Sequence, residues 1–548
     1  MGTMDAAVKR REFGSAWVTA VAALYFTTVM NVTFWRFVLE RMEFSTLDET
    51  LFAISMPIVL FLVFYCLFSL LLWPYVGKIV LGGLLIGSAA ASYFMFRLHV
   101  LIDSEMIRNV FEARTHEALE MVTPGGIVWV ALLGVAPAVL LAFITIRYRP
   151  ARRELAMRGL RVAGSLLLLV VLAFFFYKDY ASAGRNNKTA GRLLNPFNYI
   201  GSTRSYLRKQ ARKNKPFVVI DPDPEHVPYE DPYFTVLVIM VGETARAMNF
   251  SLNGYERETN PRLSRQDIVN FPNVKASGTA TAFSLPCMFS HLPRETFDID
   301  SSYRSENLLD VMMKAGYDVV WIDNDGGSKG VSDRAPTIDL MRVGNPKYRN
   351  GDTFFDEVLL DGLEERLKGV AKDTVIVLHM MGSHGPSYYR RYPDAFRVFT
   401  PTSDTAEIQG RPREEIVNTY DNTILYTDHI VSETIDMLKR FPQHEAGLIF
   451  VSDHGESLGE NGLYLHGFPY SLAPDEQIQV PMLLWMSETM KREDHVDYEK
   501  LRAAAKDLEL SHDNLFHSVL GLVEIDTELY DPALDFFKSF RTKKLPYR

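Results

Sequence analysis

Long stretches without a charged residue lie in the first third of the chain and constrain its fold more than any other feature. A helix needs about 20 consecutive apolar residues to cross a membrane. Stretches free of Asp, Glu, Lys and Arg cover residues 13–35, 51–73, 79–96, 121–146 and 162–177. We therefore predict an α-helical membrane domain with five transmembrane helices in residues 1–180. A transporter is not favoured, because transporters place ionisable groups inside their spans.

The basic residues of the short loops predict the orientation of these helices. Loops rich in Lys and Arg stay on the cytoplasmic side of a membrane. Such residues precede the first span and separate the second from the third and the fourth from the fifth: Lys9, Arg10 and Arg11; Lys78; and Arg147, Arg149, Arg152, Arg153, Arg158 and Arg161. An odd number of spans then puts the C-terminal part outside the membrane. In a Gram-negative cell, this predicts a multi-pass inner-membrane protein with its soluble domain in the periplasm.

Two polar segments beside the predicted spans are expected to contact lipid headgroups. In residues 101–121, Asn109, Ala113 and Glu117 share one helix face. This stretch is interpreted as a helix on the membrane surface, with a headgroup-binding role as the alternative. Residues 181–231 form a linker that contains nine basic residues and no acidic one between Arg185 and Lys215. Anionic headgroups attract such a segment, although a charge run is also typical of a solvated face.

The rest of the chain, residues 232–548, has the pattern of an α/β domain. Short apolar runs alternate there with amphipathic segments, and we interpret residues 236–241, 317–322, 374–378, 447–451 and 481–485 as buried strands. Continuous apolar runs are typical of strands that are covered on both faces, as in a parallel sheet. We therefore predict a mostly parallel central sheet with helices on both sides.

Polar side chains follow four of these strands, at the edge of the sheet where ligands bind in this architecture. They are Glu243, Asp323, Asp325, His379, Asp453 and His454, with His384 and His466 close behind in sequence. Carboxylate and imidazole groups that converge in this way indicate a metal site. The nearby segment 277–290 offers four nucleophiles, Thr279, Thr281, Ser284 and Cys287. Spacing alone does not choose among them.

Composition excludes two classes of protein. The net charge of -9 argues against a nucleic-acid-binding protein, which needs a basic surface. Two cysteines, Cys66 and Cys287, can form neither a disulfide scaffold nor a zinc site made of thiolates.

The segments VGETAR, GTATAFSLPCMFS, GSHGP and SDHGESLGENGLYLHG together resemble the motifs of the lipid A phosphoethanolamine transferases. This family includes the mobile colistin-resistance enzymes and belongs to the alkaline phosphatase/sulfatase superfamily. The resemblance covers nearly the whole chain and implies five spans joined to an alkaline-phosphatase-like domain. It also implies transfer of phosphoethanolamine from phosphatidylethanolamine to lipid A, which gives resistance to cationic peptides such as polymyxin. We expect a monomer.

The resemblance implies a role for each matching residue. The catalytic zinc ligands match Glu243, Thr281, Asp453 and His454, and Thr281 matches the hydroxyl that takes up phosphoethanolamine. The resemblance leaves open whether a second zinc ion binds, and it favours zinc over Mn²⁺. The groups expected to bind the phosphoryl group, the transferred headgroup or the donor lipid match His384, His466, Lys329, Asn109 and Glu117.

Three positions depart from the family pattern. Ser277 stands where a cysteine would pair with Cys287, so we expect a soluble domain without disulfides and a loop beneath Thr281 that packing alone holds. Ala113 replaces a threonine between Asn109 and Glu117. Asp325 replaces an asparagine, and its charge either favours the ammonium group of the donor or is tolerated.

Several other functions remain as alternatives. Kdo or a core sugar can replace lipid A as the acceptor. Phosphoglycerol transferases join five spans to the same type of domain and use manganese. A sulfatase is disfavoured because SLPCMF lacks the proline and arginine pattern that its modified residue requires. A non-catalytic lipid sensor is disfavoured because the expected ligand set is complete.

The cysteine content generates the first prediction. Thiol labelling of the denatured protein without reductant should count two free thiols, because Cys66 lies in a predicted span and Cys287 lacks its partner. Labelling after reduction is the control. A lower count before reduction than after it would contradict the expectation of a chain free of disulfides.

Overall fold

The structure, a computed structural model, describes residues 11–40, 46–97, 101–103, 106–107, 123–186, 188–213, 216–227, 232–406 and 408–543. It forms two compact units, Met1–Asn214 and Lys215–Arg548. Each unit is described by itself below.

Five helices of the first unit, within the described residues, are long and apolar enough to cross a membrane, which confirms the prediction. They are α1 (Ser15–Leu39), α2 (Leu47–Leu71), α3 (Gly77–Arg97), α4 (Pro124–Phe143) and α5, whose apolar part is Ala151–Tyr177 and which continues to Asn186. Local signals fix where some of them begin. Thr46 and Glu49 form a capping box before α2, and the Thr123 hydroxyl caps α4 ahead of Pro124. Two further helices, α6 (Lys188–Arg192) and α7 (Phe197–Lys213), follow in the basic segment.

The prediction that the arginines before the fifth span lie in a loop is partly wrong. Helix α5 already begins at Ala151, so Arg152, Arg153, Arg158 and Arg161 lie in the helix. Glu154 and Arg158 lie one turn apart in this helix, and their side chains are only 5% and 4% exposed. Glu154 Oε1 accepts hydrogen bonds from Ser15 Oγ at 2.7 Å and from Arg158 Nε at 3.0 Å. The other guanidinium nitrogens of Arg158 donate to the Ser69 and Leu72 carbonyls at 2.6 and 2.5 Å. One neutralised ion pair therefore joins α1, α2 and α5.

The second unit is built on an eight-stranded sheet, counted over the described residues. In chain order its strands are β1 (Phe234–Gly242), β2 (Ile268–Lys275), β3 (Asp318–Asp323), β4 (Thr337–Asp339), β5 (Thr374–His379), β6 (His444–Ser452), β7 (Gln479–Met486) and β8 (Leu510–Ser511). Their order across the sheet is β8-β2-β7-β6-β1-β5-β3-β4. All neighbours are parallel except that β7 runs antiparallel to both β6 and β2. The predicted strands and the mostly parallel sheet are confirmed.

Both faces of the sheet are covered, because side chains of alternate strand residues enter two separate hydrophobic cores. Leu237, Ile239 and Val241 of β1 lie in one core, and Val238 and its alternate neighbours lie in the other. Helices supply the covering layers: α8 (Thr281–Met288), α9 (Ile299–Ser302), α10 (Leu308–Lys314), α11 (Leu340–Val343), α12 (Leu363–Lys368), α13 (Arg413–Leu438), α14 (Asp475–Ile478), α15 (Glu488–Glu493), α16 (Tyr498–Ala504) and α17 (Asp513–Leu522). Polar groups of the central strands can therefore reach solvent only at the strand ends.

The buried ion pair of the first unit generates a stability prediction. Arg158→Ala should lower the free energy of unfolding in detergent by about 1–3 kcal/mol, because the buried Glu154 carboxylate loses its nearer cation and keeps only Arg161, at 3.3 Å. The exposed Arg153, on the same helix, provides the control Arg153→Ala. Equal stability of the two variants in denaturant titrations would contradict a role for the pair.

Candidate active site

The parallel strands bring the predicted site residues together at the carboxyl edge of the sheet. Gly242 of β1 pairs with Ser452 of β6, so the residues that follow them, Glu243 and Asp453, leave adjacent strands side by side. The turn that follows β6 needs glycine at position 455. A Cβ atom on Gly455 would lie 2.2 Å from the Glu476 carbonyl oxygen, so no larger residue fits between the two segments.

Thr281 is the candidate nucleophile that faces this edge. It is the first residue of α8, and its Oγ1 donates a hydrogen bond to Glu243 Oε2 at 2.9 Å and lies 3.4 Å from His454 Nε2. The other three candidates are used elsewhere. Thr279 Oγ1 donates to the Phe468 carbonyl, Ser284 Oγ donates to the Asp453 carbonyl, and burial raises the pKa of the Cys287 thiol to about 12. Among the four candidates, Thr281 is thus the one whose hydroxyl contacts Glu243.

The ligand atoms of Glu243, Asp453 and His454 lie within 4.8 Å of one another, and all three side chains are fully buried. Oε1 of Glu243 and Oδ2 of Asp453 accept no hydrogen bond from any residue that the structure describes. Burial, followed by the charges of Asp453 and Asp325, raises the pKa of Glu243 well above its usual value. Two buried carboxylates in this position are unfavourable in their charged forms unless a cation lies between them, and without a cation Glu243 tends to keep its proton.

The orientation of His454 fits a metal ligand. Its Nδ1 lies 2.9 Å from the Gly455 carbonyl oxygen, which can only accept, so Nδ1 carries the ring proton. Nε2 is then the lone-pair atom, and it lies 3.4 Å from Asp453 Oδ2 and 3.6 Å from Glu243 Oε1. Burial lowers the pKa of His454, which keeps the ring neutral. Three electron-pair donors and the Thr281 hydroxyl therefore point at one spot.

A histidine cluster lies beside this spot. The ring centroid of His466 is 4.4 Å from that of His454 and 6.1 Å from that of His384. Glu456 is fully buried, and its Oε2 lies 2.7 Å from His466 Nδ1 while its Oε1 accepts a hydrogen bond from the Tyr388 hydroxyl at 2.5 Å. Glu456 thereby fixes the orientation of His466.

A second acidic cluster follows β3 and β5. The Lys329 ammonium lies 3.6 Å from Asp325 Oδ2, which in turn lies 3.8 Å from His379 Nε2. The Nδ1 atom of His379 lies 2.6 Å from Asp323 Oδ1. Burial raises the pKa of Asp325 to about 6. Lys329 is therefore the exposed end of a chain of charges that leads toward the buried carboxylates.

The comparisons with known proteins cover both units. The family described as phosphoethanolamine transferase EptA/EptB matches residues 58–211, and the sulfatase family matches residues 235–525. Phosphoethanolamine transferase EptA of Escherichia coli K12 is 42% identical over 530 residues, which are 96% of this chain and 97% of that protein. Phosphatidylethanolamine transferase Mcr-1 of Escherichia coli is 33% identical over 533 residues, 95% of this chain and 96% of that protein.

A solved structure agrees in fold. The integral membrane protein lipooligosaccharide phosphoethanolamine transferase A (EptA) from Neisseria meningitidis is 38% identical, with a TM-score of 0.66 over 97% of this chain and 100% of that one. This chain belongs to the phosphoethanolamine transferase family. The resemblance found in the sequence motifs is confirmed.

The phosphoethanolamine transferase fold here holds its nucleophile loop without a disulfide. Cys66 and Cys287 are both free, as predicted. The expectation that packing alone holds the loop is wrong, because hydrogen bonds hold it as well. The Ser277 amide donates to His512 Nδ1 at 3.1 Å, and the Ser277 carbonyl accepts from Arg294 Nε at 2.8 Å. Burial lowers the pKa of His512 to about 4, so this ring stays a neutral acceptor.

The sequence analysis did not identify two residues of this site, Glu456 and Asp356, and two predicted residues lie outside the described ranges. Glu456 lies in the motif SDHGESLGENGLYLHG, but its position in the sequence did not indicate a role in the site. Asp356 is buried and accepts hydrogen bonds from Asn324 Nδ2 and from the amides of Met381 and Gly382, at 2.8 to 2.9 Å. It joins the loops after β3 and β5, and no pattern marked it because it lies in an irregular segment. The predicted donor-lipid residues outside the described ranges are Asn109 and Glu117, together with Ala113.

The geometry of the carboxylates predicts metal binding. Asp453→Asn should weaken zinc binding by at least about 100-fold, because even partners of metal ligands contribute 10- to 100-fold. Calorimetric titration of purified protein with zinc measures this, and Asp361→Asn, at an exposed position, is the control. Unchanged affinity in the Asp453 variant would show that zinc binds elsewhere.

Proposed function

We propose that this protein transfers phosphoethanolamine from phosphatidylethanolamine to lipid A through a covalent threonine intermediate at Thr281. The observation that carries the proposal is the short contact of 2.9 Å between Thr281 Oγ1 and Glu243 Oε2, within a buried set of metal-ligand atoms. Family membership supports the reaction class. The names of relatives mention phosphatidylethanolamine, lipooligosaccharide and lipid A, which supports these donor and acceptor lipids.

Five apolar helices support a location in the inner membrane of a Gram-negative bacterium. With the predicted orientation, the catalytic unit is on the periplasmic side. Both substrates are lipids, so an anchored enzyme meets them on one surface at high effective concentration. Addition of a positively charged group to lipid A would lower its attraction for cationic peptides such as polymyxin.

The ligands favour zinc as the metal. Glu243, Asp453, His454 and Thr281 supply three oxygen atoms and one imidazole nitrogen, a set that suits a four-coordinate zinc site. When bound, zinc lowers the pKa of a coordinated hydroxyl and polarises a phosphoryl oxygen. His454, Glu456 and His466 form a second group with atoms close enough to hold an ion, but His454 has one lone pair, so the two groups would compete for it.

The first half-reaction uses groups that are already in place. The Thr281 oxygen forms a bond to the phosphorus of phosphatidylethanolamine, and its proton passes to Glu243 Oε2, the present hydrogen-bond acceptor. The bond from phosphorus to the diacylglycerol oxygen breaks, and this oxygen takes a proton from solvent water as diacylglycerol leaves. Glu456 holds Nδ1 of His466, which suits His466 to bear positive charge next to the phosphoryl oxygens.

The second half-reaction reverses the roles of these groups. An oxygen of the acceptor phosphate attacks the phosphorus of the threonine ester, and the Thr281 oxygen leaves and regains its proton from Glu243. Lys329 and His384 would stabilise the charge on the transferred group. Such a two-step path predicts ping-pong kinetics, since diacylglycerol leaves before the acceptor reacts.

Replacement of the nucleophile tests the proposal. Thr281→Ala should lower transfer on the order of 10³-fold or more, because no oxygen remains to form the ester. Thr281→Ser, which keeps the hydroxyl, is the matched control and should retain part of the activity. Mass spectrometry of lipid A measures the product, and mass spectrometry of the protein measures the adduct of one phosphoethanolamine on Thr281. Undiminished transfer by the alanine variant would remove Thr281 from the reaction.

A further inference from the structure

A groove of about 390 Å³ lies in the catalytic unit beside the proposed reaction centre. Its walls come from four segments, residues 218–220, 286–292, 297–307 and 329–331. None of the four residues assigned to the metal lines it. The groove is therefore separate from the cluster of buried carboxylates, and the reaction proposed above leaves it without a role.

The lining of the groove mixes apolar, aromatic and hydroxyl groups. Val219, Leu292 and Tyr303 are 52%, 37% and 38% exposed, so they offer apolar surface to a ligand in the groove. Between them lie hydroxyl groups, those of Ser290, Ser301, Ser302 and Ser305. An aromatic ring and several hydroxyls suit a sugar, which has apolar ring faces and polar edges.

One buried donor of the groove, Nε of Arg304, suits an anion. Arg304 forms no ion pair with any described residue; its Nη2 donates only to Ser301 Oγ at 3.2 Å, and its buried Nε has no hydrogen-bond acceptor. The acidic residues of the lining are engaged. Glu306 lies 2.6 Å from the Lys314 ammonium, and Asp298 caps α9 by accepting from two backbone amides. Arg304 lies close enough to Asp298 for their charges to interact, but its unused Nε donor suits a phosphate oxygen.

The groove is continuous with the reaction centre through two elements. Lys329 lines the groove, and its ammonium lies 3.6 Å from Asp325 in the acidic cluster. Pro286 also lines it and lies on α8, five residues after Thr281, which corresponds to about 7.5 Å along the helix. A ligand in the groove would therefore extend toward Thr281 and end at Lys329.

We propose that this groove binds the phosphorylated sugar headgroup of the acceptor glycolipid. Arg304 binds one phosphate, Tyr303 packs on a sugar ring, and Lys329 guides the second phosphate to the threonine ester. This inference rests on the proposed function, since it assigns the acceptor of the same reaction. The donor fits less well, because its small headgroup is held at the metal cluster and its glycerol offers neither a ring nor a second phosphate.

Two variants test the groove by separating the half-reactions. Arg304→Ala removes the guanidinium with its unused donor, and Val219→Glu places a negative charge in the wall. The controls are Arg342→Ala and Val343→Glu, because these side chains lie on the surface outside the groove. Full-length protein in mixed micelles is assayed for diacylglycerol release from phosphatidylethanolamine without acceptor, and then for transfer to lipid A over a range of lipid A concentrations.

The proposal expects the KM for lipid A to rise about 10- to 100-fold in both groove variants, as the loss of a charge-assisted contact predicts. Diacylglycerol release should stay within about twofold of wild type. An equal loss in the donor half-reaction would overturn the proposal in favour of a donor or structural role. Unchanged kinetics in both variants would overturn it as well.

Inhibition by soluble compounds identifies the ligand. Glucosamine 1-phosphate should compete with lipid A for the wild type about tenfold better than for Arg304→Ala. Inorganic phosphate at the same concentration distinguishes a simple anion site, and equal competition by phosphate would overturn the assignment to a sugar. Failure of the proposed function itself looks different, because the wild-type protein would then release no diacylglycerol and form no threonine adduct.

Discussion

Two carboxylates buried side by side determine how the catalytic unit is organised. Glu243 and Asp453 follow adjacent parallel strands, and neither is exposed. No cationic side chain among the described residues pairs with them at the cluster, where the neutral Nε2 of His454 is their neighbour. The arrangement is therefore stable with a bound cation, and that cation would lie within reach of the Thr281 hydroxyl. A rigid sheet is needed because it keeps two like charges together that would otherwise separate.

The membrane unit solves a similar problem in a different way. Glu154 is buried, as Glu243 and Asp453 are, but Arg158 and Arg161 neutralise it within two turns of the same helix. The Arg158 guanidinium also satisfies carbonyl groups at the end of α2. A pair of this kind holds helices together and has no capacity left for a ligand. The contrast shows which buried acid is structural and which is available for chemistry.

Supporting residues give the site its shape. Asp356 connects the loop that carries Lys329 to the loop that carries His384, and Glu456 orients His466. Neither would touch the substrate in the proposed reaction. The nucleophile loop relies on neutral His512 where relatives are expected to have a disulfide. Hydrogen bonds thus hold this loop, and their strength depends on the exclusion of water from the site.

Much of this architecture followed from local sequence. The five spans could be predicted because a lipid environment requires long uncharged helices, and the strands because burial on both faces requires unbroken apolar runs. Glu243, Asp453 and His454 could be predicted as a set because the ends of parallel strands meet. The helical start at Ala151 was missed, since charged residues are counted against a span when the partner that neutralises them is unknown.

The sequence by itself determined the elements, the chemistry available at the strand ends and, through its motifs, the family. Only the tertiary structure decided which hydroxyl faces the carboxylates, which histidine nitrogen carries the proton, and where Asp356, Glu456 and the groove at Arg304 lie. The physical reason is that these properties depend on distances between segments far apart in the chain. Hydrogen bonds and charges act over a few ångströms, and sequence spacing does not fix such distances.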